Sequence, residues 1–108
     1  MRKLTVNRKK YCAGAWCAIH IYAAFEPVSF PCINKKTHKL LGKVKNGKSL
    51  ECEIPECEVT VMAAYDNLGV CAMTDYVTIP SGSEDVVLNG KTKLNPMRGN
   101  PFYFEKEN

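Results

Sequence analysis

A chain of 108 residues with 45% apolar and 24% charged side chains is the size of one domain, large enough to bury about two thirds of the surface its unfolded form exposes. That composition excludes a disordered or fibrous chain, and a formal net charge of +4 is too mild to argue for a nucleic-acid partner. Six cysteines, Cys12, Cys17, Cys32, Cys52, Cys57 and Cys71, admit a disulfide framework, yet a chain this long holds a core without staples, and reduced thiols acting as small hydrophobes are the expectation.

The N-terminal stretch from Met1 to Asn7 is basic but has no apolar run behind it, so it does not read as a signal peptide. Leu4 and Val6 predict a first strand ending at Arg8-Lys9-Lys10. The nearly apolar run over residues 13–25 is interrupted by Gly14 and His20 and is too short to span a bilayer. The cytoplasm is therefore the expected compartment, although a chain trimmed of a leader would read the same. Within that run Cys17, Ile19 and Ile21 alternate with Trp16, Ala18, His20 and Tyr22, which predicts a second strand over 15–25. Residues 26–37, with Pro27 and Pro31, read as a loop or irregular edge, because proline cannot donate into a central ladder.

Residues 40–64 predict three strands in a β-meander. A two-residue turn at Asn46-Gly47 would set lysines on the face of Leu50, Cys52 and Ile54. A three-residue loop over 45–47, with Gly47 left-handed in a bulge, instead pairs Gly42 with Leu50 and Leu40 with Cys52, and puts the apolar residues together. It also sets Lys39 opposite Glu53 and Lys43 opposite Ser49. The same test pairs Ile54 with Val59 and Cys52 with Val61 across a loop over 55–58, which leaves Cys57 in a turn.

Residues 62–73 could hold a helical turn, interrupted by Asp66-Asn67-Leu68-Gly69. Further strands are expected over 71–79, after which a loop spans 80–84, and over 85–88. A hairpin-type turn at Asn89-Gly90 leads into 91–94, and a last strand covers 102–105. Seven to nine short strands predict one all-β domain, an antiparallel immunoglobulin-like β-sandwich, with Ile19, Ile21, Leu50, Cys52, Ile54, Val59 and Val61 in its core.

The order Gly42-Lys43-Val44-Lys45-Asn46-Gly47-Lys48-Ser49-Leu50, followed by Ile54-Pro55-Glu56-Cys57-Glu58-Val59-Thr60-Val61, resembles the central hairpins of small bacterial immunoglobulin-like sandwiches similar to PEGA-type domains. Leu4-Thr5-Val6-Asn7-Arg8, leading to Ile19-His20-Ile21-Tyr22, is similar to their opening strands. The chain departs from them at Cys57, where relatives usually carry glycine, and in the long segment over 26–39. The resemblance implies a non-catalytic structural or interaction module with no catalytic residues to carry over.

The chemistry-bearing residues point the same way. Cys12-x4-Cys17 and Cys52-x4-Cys57 sit at the loose end of zinc-ligand spacing, and Cys17 and Cys52 fall on the apolar faces of their strands. No Cys-x-x-Cys is present to serve as a dithiol redox motif. His20 lies on the strand face away from Cys17, which argues against a thiolate–imidazole pair. Glu51 and Glu53 share a face, but a general acid needs an apolar pocket to raise its pKa. The lysine cluster Lys35, Lys36, Lys39, Lys43, Lys45 and Lys48 resembles a phosphate-contacting patch. It is offset by Glu51, Glu53, Glu56 and Glu58, and lysines also guard sheet edges. No Walker A or Rossmann glycine pattern is present, so no cofactor is expected.

Trp16, His20 and Tyr22 alternate on one face and, with Lys43 and Lys45, form the candidate interaction surface. The expected role is a non-enzymatic structural or protein-interaction module, with an unidentified protein partner or self-association through an edge strand, and with neither nucleic acid nor a membrane span. A thiol-dependent zinc or redox protein is the alternative from another class, and carbohydrate or small-ligand binding on the Trp16/Tyr22 face is a third.

Overall fold

Period-two alternation runs through most of the chain, and every element among the described residues is a β-strand. The computed structural model describes residues 1–10, 18–25, 38–67, 70–92 and 102–105. The strands are β1 (Arg2–Arg8), β2 (Ile19–Ala24), β3 (Lys39–Val44), β4 (Ser49–Ile54), β5 (Val59–Asn67), β6 (Val70–Ile79), β7 (Val86–Thr92) and β8 (Phe102–Phe104). They form two four-stranded sheets in a sandwich-like arrangement, ordered β4-β1-β7-β8 and β3-β2-β5-β6. All pairs are antiparallel except β1 with β7, which is parallel.

The core lies between the sheets. Leu4 and Val6 from β1, Ile54 from β4, and Phe102 and Phe104 from β8 meet Ile19, Ile21 and Ala23 from β2, Val44 from β3, and Val59, Val61 and Ala63 from β5. The intervening residues of β2 and β5 are buried as well: Tyr22, Ala24, Met62 and Ala64 form a second cluster, with Met73 packed against it. Both faces of these central strands are covered, so they read as nearly continuous apolar runs.

The predicted meander is not formed. β3 and β5 belong to one sheet and β4 to the other. β4 pairs with β1 from Arg2↔Ile54 to Asn7↔Ser49, while β5 pairs with β2 and β6. The expected pairs Leu40–Cys52, Ile54–Val59 and Cys52–Val61 are therefore absent. Gly42 does oppose Leu50, but across the interior: a Cβ built on Gly42 would lie 2.7 Å from Leu50 Cδ1. Alternation tells which side chains share a core. A core shared by neighbours in one sheet and a core shared by two facing sheets satisfy it equally.

Ile19, Ile21, Ile54, Val59 and Val61 are fully buried, as expected, while Leu50 and Cys52 are half-buried at the margin of the core. Two further expectations are corrected. Residues 62–67 and 70–73 continue β5 and β6 and hold no helical turn. Asn89-Gly90 is not a turn either; β7 passes straight through it, with Gly90 paired to Arg8 on one side and to Phe104 on the other. Glycine is needed there for space, since a Cβ on Gly90 would lie 2.1 Å from Phe102 Cζ. Of the predicted second strand, residues 15–17 lie outside the described residues, as does the predicted loop over 26–37.

The two ends of β1 tie the layers together. Arg2 and Arg8 alternate with Leu4 and Val6 on its inner face, and both are buried. Arg2 Nη2 donates to the carbonyls of Cys57 at 3.0 Å and Pro80 at 2.8 Å, and Nε to that of Pro55 at 3.4 Å. One guanidinium thus holds two loops that pass between the sheets, and Gly82 N–H adds a bond to Glu56 C=O at 2.9 Å. At the other end Arg8 Nη1 donates to Val44 C=O at 2.9 Å, across to β3.

Candidate functional site

Among the described residues, β3 and β4 have no strand on their outer flanks. β3 lies outside β2 in one sheet, and β4 lies outside β1 in the other. They follow one another in the chain through residues 45–48. There Lys48 N–H donates to Lys45 C=O at 3.0 Å, and Gly47 takes φ 72°, a conformation glycine enters without a Cβ penalty. So short a turn returns β4 antiparallel to β3 while moving it into the other layer. One flank of the sandwich therefore presents two edges, one above the other.

The opposite flank is built differently. There β6 and β8 are the outer strands, and Phe104 N–H donates to the Asp75 carboxylate at 2.9 Å, tying one sheet to the other.

The β3/β4 flank carries two separated signs of charge. Lys39, Lys43, Lys45 and Lys48 are exposed along β3 and the turn, and Glu51, Glu53, Glu56 and Glu58 along β4 and the loop after it. The predicted pairing of Lys39 with Glu53 does not occur, since Glu53 stands opposite Lys3 and Lys39 opposite Ala23. Lys43 faces His20 instead of Ser49, and Ser49 Oγ donates to Asn7 Oδ1 at 2.6 Å on β1. β3 also carries a bulge, where its register with β2 shifts between Ile21 and Tyr22.

Of the candidate surface residues, the fold brings His20 and Lys43 together as cross-strand neighbours. Lys45 is exposed in the adjoining turn. His20 Nδ1 is buried with no hydrogen-bond partner among the described residues. Tyr22 is only 3% exposed and packs with Met62 and Ala64, so it offers no open platform for a ligand. Trp16 lies outside the described residues, as do Cys12, Cys17, Lys35 and Lys36.

The two cysteines of the Cys52-x4-Cys57 spacing occupy different environments. Cys57 is exposed in its turn, as anticipated, and Cys52 is half-buried on the inner side of β4. Burial pushes the Cys52 thiol above its ordinary value of 9.0, and nearby Lys39 pulls in the opposite direction. Among the described residues no group of three or more His, Cys, Asp or Glu side chains is placed to hold a metal ion. No helix among them is long and apolar enough to cross a membrane.

No family model, curated protein or solved structure matches this chain.

What the arrangement can do is pair. An unpaired edge presents a row of backbone N–H and C=O groups that template another strand. The sequence reading gave Lys43 and Lys45 to the surface and offset the lysines with Glu51, Glu53, Glu56 and Glu58, but it set Glu53 against Lys39 within one hairpin instead of placing the two signs on edges of different sheets. It missed Arg2, although the spacing Arg2-x-Leu4-x-Val6-x-Arg8 places both arginines on the apolar face of β1.

Proposed function

We propose that this chain is a non-enzymatic structural or protein-interaction module, immunoglobulin-like in its layers and size with a strand order of its own, that works through the β3/β4 flank. The observation that carries this reading is the asymmetry between the two flanks. At the β6/β8 flank the Asp75 carboxylate occupies an outward N–H of β8; at the β3/β4 flank two edges of opposite charge lie one above the other, with no strand beyond them among the described residues. Strand addition to such an edge draws affinity from the backbone and specificity from the flanking side chains. Several polar groups brace the fold: Arg2 clasps loops, Asp85 accepts from Lys3 N–H at 2.9 Å, and Asn7 bridges to Asn89 at 3.0 Å.

A photo-crosslinking residue placed at Lys43 or Glu51 in the full chain tests this, with Ser83 in the exposed loop before β7 as the control. Adducts to protein are expected from the two edge positions and not from Ser83. Absence of adducts at both edge positions, or equal capture at Ser83, overturns the reading.

A further inference from the structure

We propose that the occupant of this flank is a second copy of the same chain, joined about a two-fold axis that runs along the strands, with β3 of each copy antiparallel to β4 of the other. This rests on the reading of the flank given above and names its partner. The geometry follows from the connection. β3 and β4 run antiparallel in different layers because a tight turn joins them. A two-fold axis along the strands exchanges the layers without reversing strand direction. It therefore lays β4 of the second copy beside β3, antiparallel, and makes the reciprocal pair in the other layer. Each four-stranded sheet becomes one continuous sheet across the dimer, and the β3 and β4 edges of both copies, open among the described residues, are consumed together in one closed two-fold contact.

One contact inside the molecule sets the register: Gly42 lies against Leu50 across the interior, so this pair sits at one height, and the pull of Lys39 on the Cys52 thiol agrees with it. The axis turns this shared height into cross-strand neighbours between copies, Gly42 beside Leu50 and Lys39 beside Cys52. The β3 bulge supplies the one residue by which the two spacings differ. In this register Lys43 is opposite Ser49 and diagonal to Glu51 of the second copy, on the outer face. Leu40, 44% exposed in the single chain and on the face of its partner Tyr22, then lies beside β4 of the second copy. Inner faces meet inner faces throughout.

Charge selects this arrangement over its competitors. Pairing β3 with β3 would oppose lysines, and β4 with β4 would oppose glutamates; like charges directly across a ladder are unfavourable. The lysines and the bulge that protect β3 from arbitrary strands exclude wrong partners and still admit an acidic edge. The sequence pattern that suggests a hairpin within one chain, Gly42 against Leu50, is on this view realised between two chains.

Sedimentation of the full chain over a range of concentrations tests the proposal, with Lys43→Glu and Glu51→Lys as variants. Both sites are exposed in the single chain, so both variants fold, which circular dichroism and thermal melting verify. A dimer is expected for the parent, and each variant should weaken it by about tenfold, since two symmetry-related contacts change sign. Mixed together, the two variants should dimerise again, because every 43–51 contact in the mixed pair is attractive. A parent that stays monomeric, a dimer indifferent to both substitutions, or a mixture that fails to re-form overturns the proposal. If the parent is monomeric while crosslinks at Lys43 lead to a different protein, the flank is still the interface and only the second copy is wrong.

Discussion

The tip of the Phe102 ring occupies the space in which a side chain at position 90 would begin. A Cβ on Gly90 would meet Phe102 Cζ at 2.1 Å and both Cε atoms at 2.8 Å. Phe102 is fully buried and packs edge-on against Phe104 with ring centroids 5.4 Å apart. The three-residue strand β8 is therefore held by two aromatic anchors, one of them seated on a glycine.

Gly90→Ala should force that ring out of its seat and destabilise the fold by about 1–3 kcal/mol, the range for an overpacked core. Phe102→Ala should cost about 3–5 kcal/mol through the cavity it leaves. The two are in contact, so their effects should not add: in Gly90→Ala/Phe102→Ala the alanine methyl enters space already vacated. Urea unfolding of the parent, both single variants and the double variant measures this. Strict additivity would show that the ring and the glycine are not coupled.

Arg2 should matter far more than its place one residue from Met1 suggests. It is 4% exposed and donates to the carbonyls of Pro55, Cys57 and Pro80. Arg2→Ala should destabilise by about 2–3 kcal/mol, because charge-assisted hydrogen bonds are the stronger kind and the loop carbonyls lose their donor. Arg2→Lys should recover only part of this, since one ammonium lacks the planar fork that reaches several carbonyls at once. Thermal melting checks the order, and hydrogen exchange should speed up in both loops together. Unchanged protection at Ser81 and Gly82 would show that the clasp is not holding that loop.

The Cys52 thiol gives a pH dependence of known sign. Burial raises its pKa in the folded protein above 9.0, against the pull of Lys39. Above that pH the unfolded chain releases the proton while the folded chain retains it. Stability should therefore be level with respect to this group below about pH 9 and fall as pH rises further. The difference in slope between the parent and Cys52→Ala, measured by denaturation across that range, isolates the effect. Site-resolved alkylation adds a second readout: exposed Cys57 should react first, and Lys39→Gln should slow Cys52 further by removing a charge that lowers its pKa. Faster alkylation of Cys52 in that variant would contradict the assignment.

Much of the fold is legible in the sequence because the strands alternate. Leu4 and Val6, Ile19 and Ile21, and Val59 and Val61 announce both their strands and their inward faces, and the core is built from them. The candidate site was half legible. Lys43 and Lys45 are where their charge places them, on the surface, whereas the apparent aromatic face fails at Tyr22, whose neighbours on β2 and β5 bury it. Nothing local to Ile19-His20-Ile21-Tyr22 says that both faces of that strand are covered, because the covering residues come from elsewhere in the chain.

Asn89-Gly90 shows the same limit. The dipeptide is a turn signal through glycine's access to positive φ, but here glycine is kept for its missing side chain, and the reason lies twelve residues away in Phe102. The residues from Gly42 to Ile54 show it most fully. Alternation by itself determined that Gly42, Leu50, Cys52 and Ile54 look toward one apolar interior, since a period of two admits no other assignment of faces. Only the tertiary structure decided that β3 and β4 reach that interior from opposite layers. A turn of four residues can close a ladder or step between sheets at similar local cost, and the choice is made by β1 and β2, which pair with β4 and β3 and draw them apart.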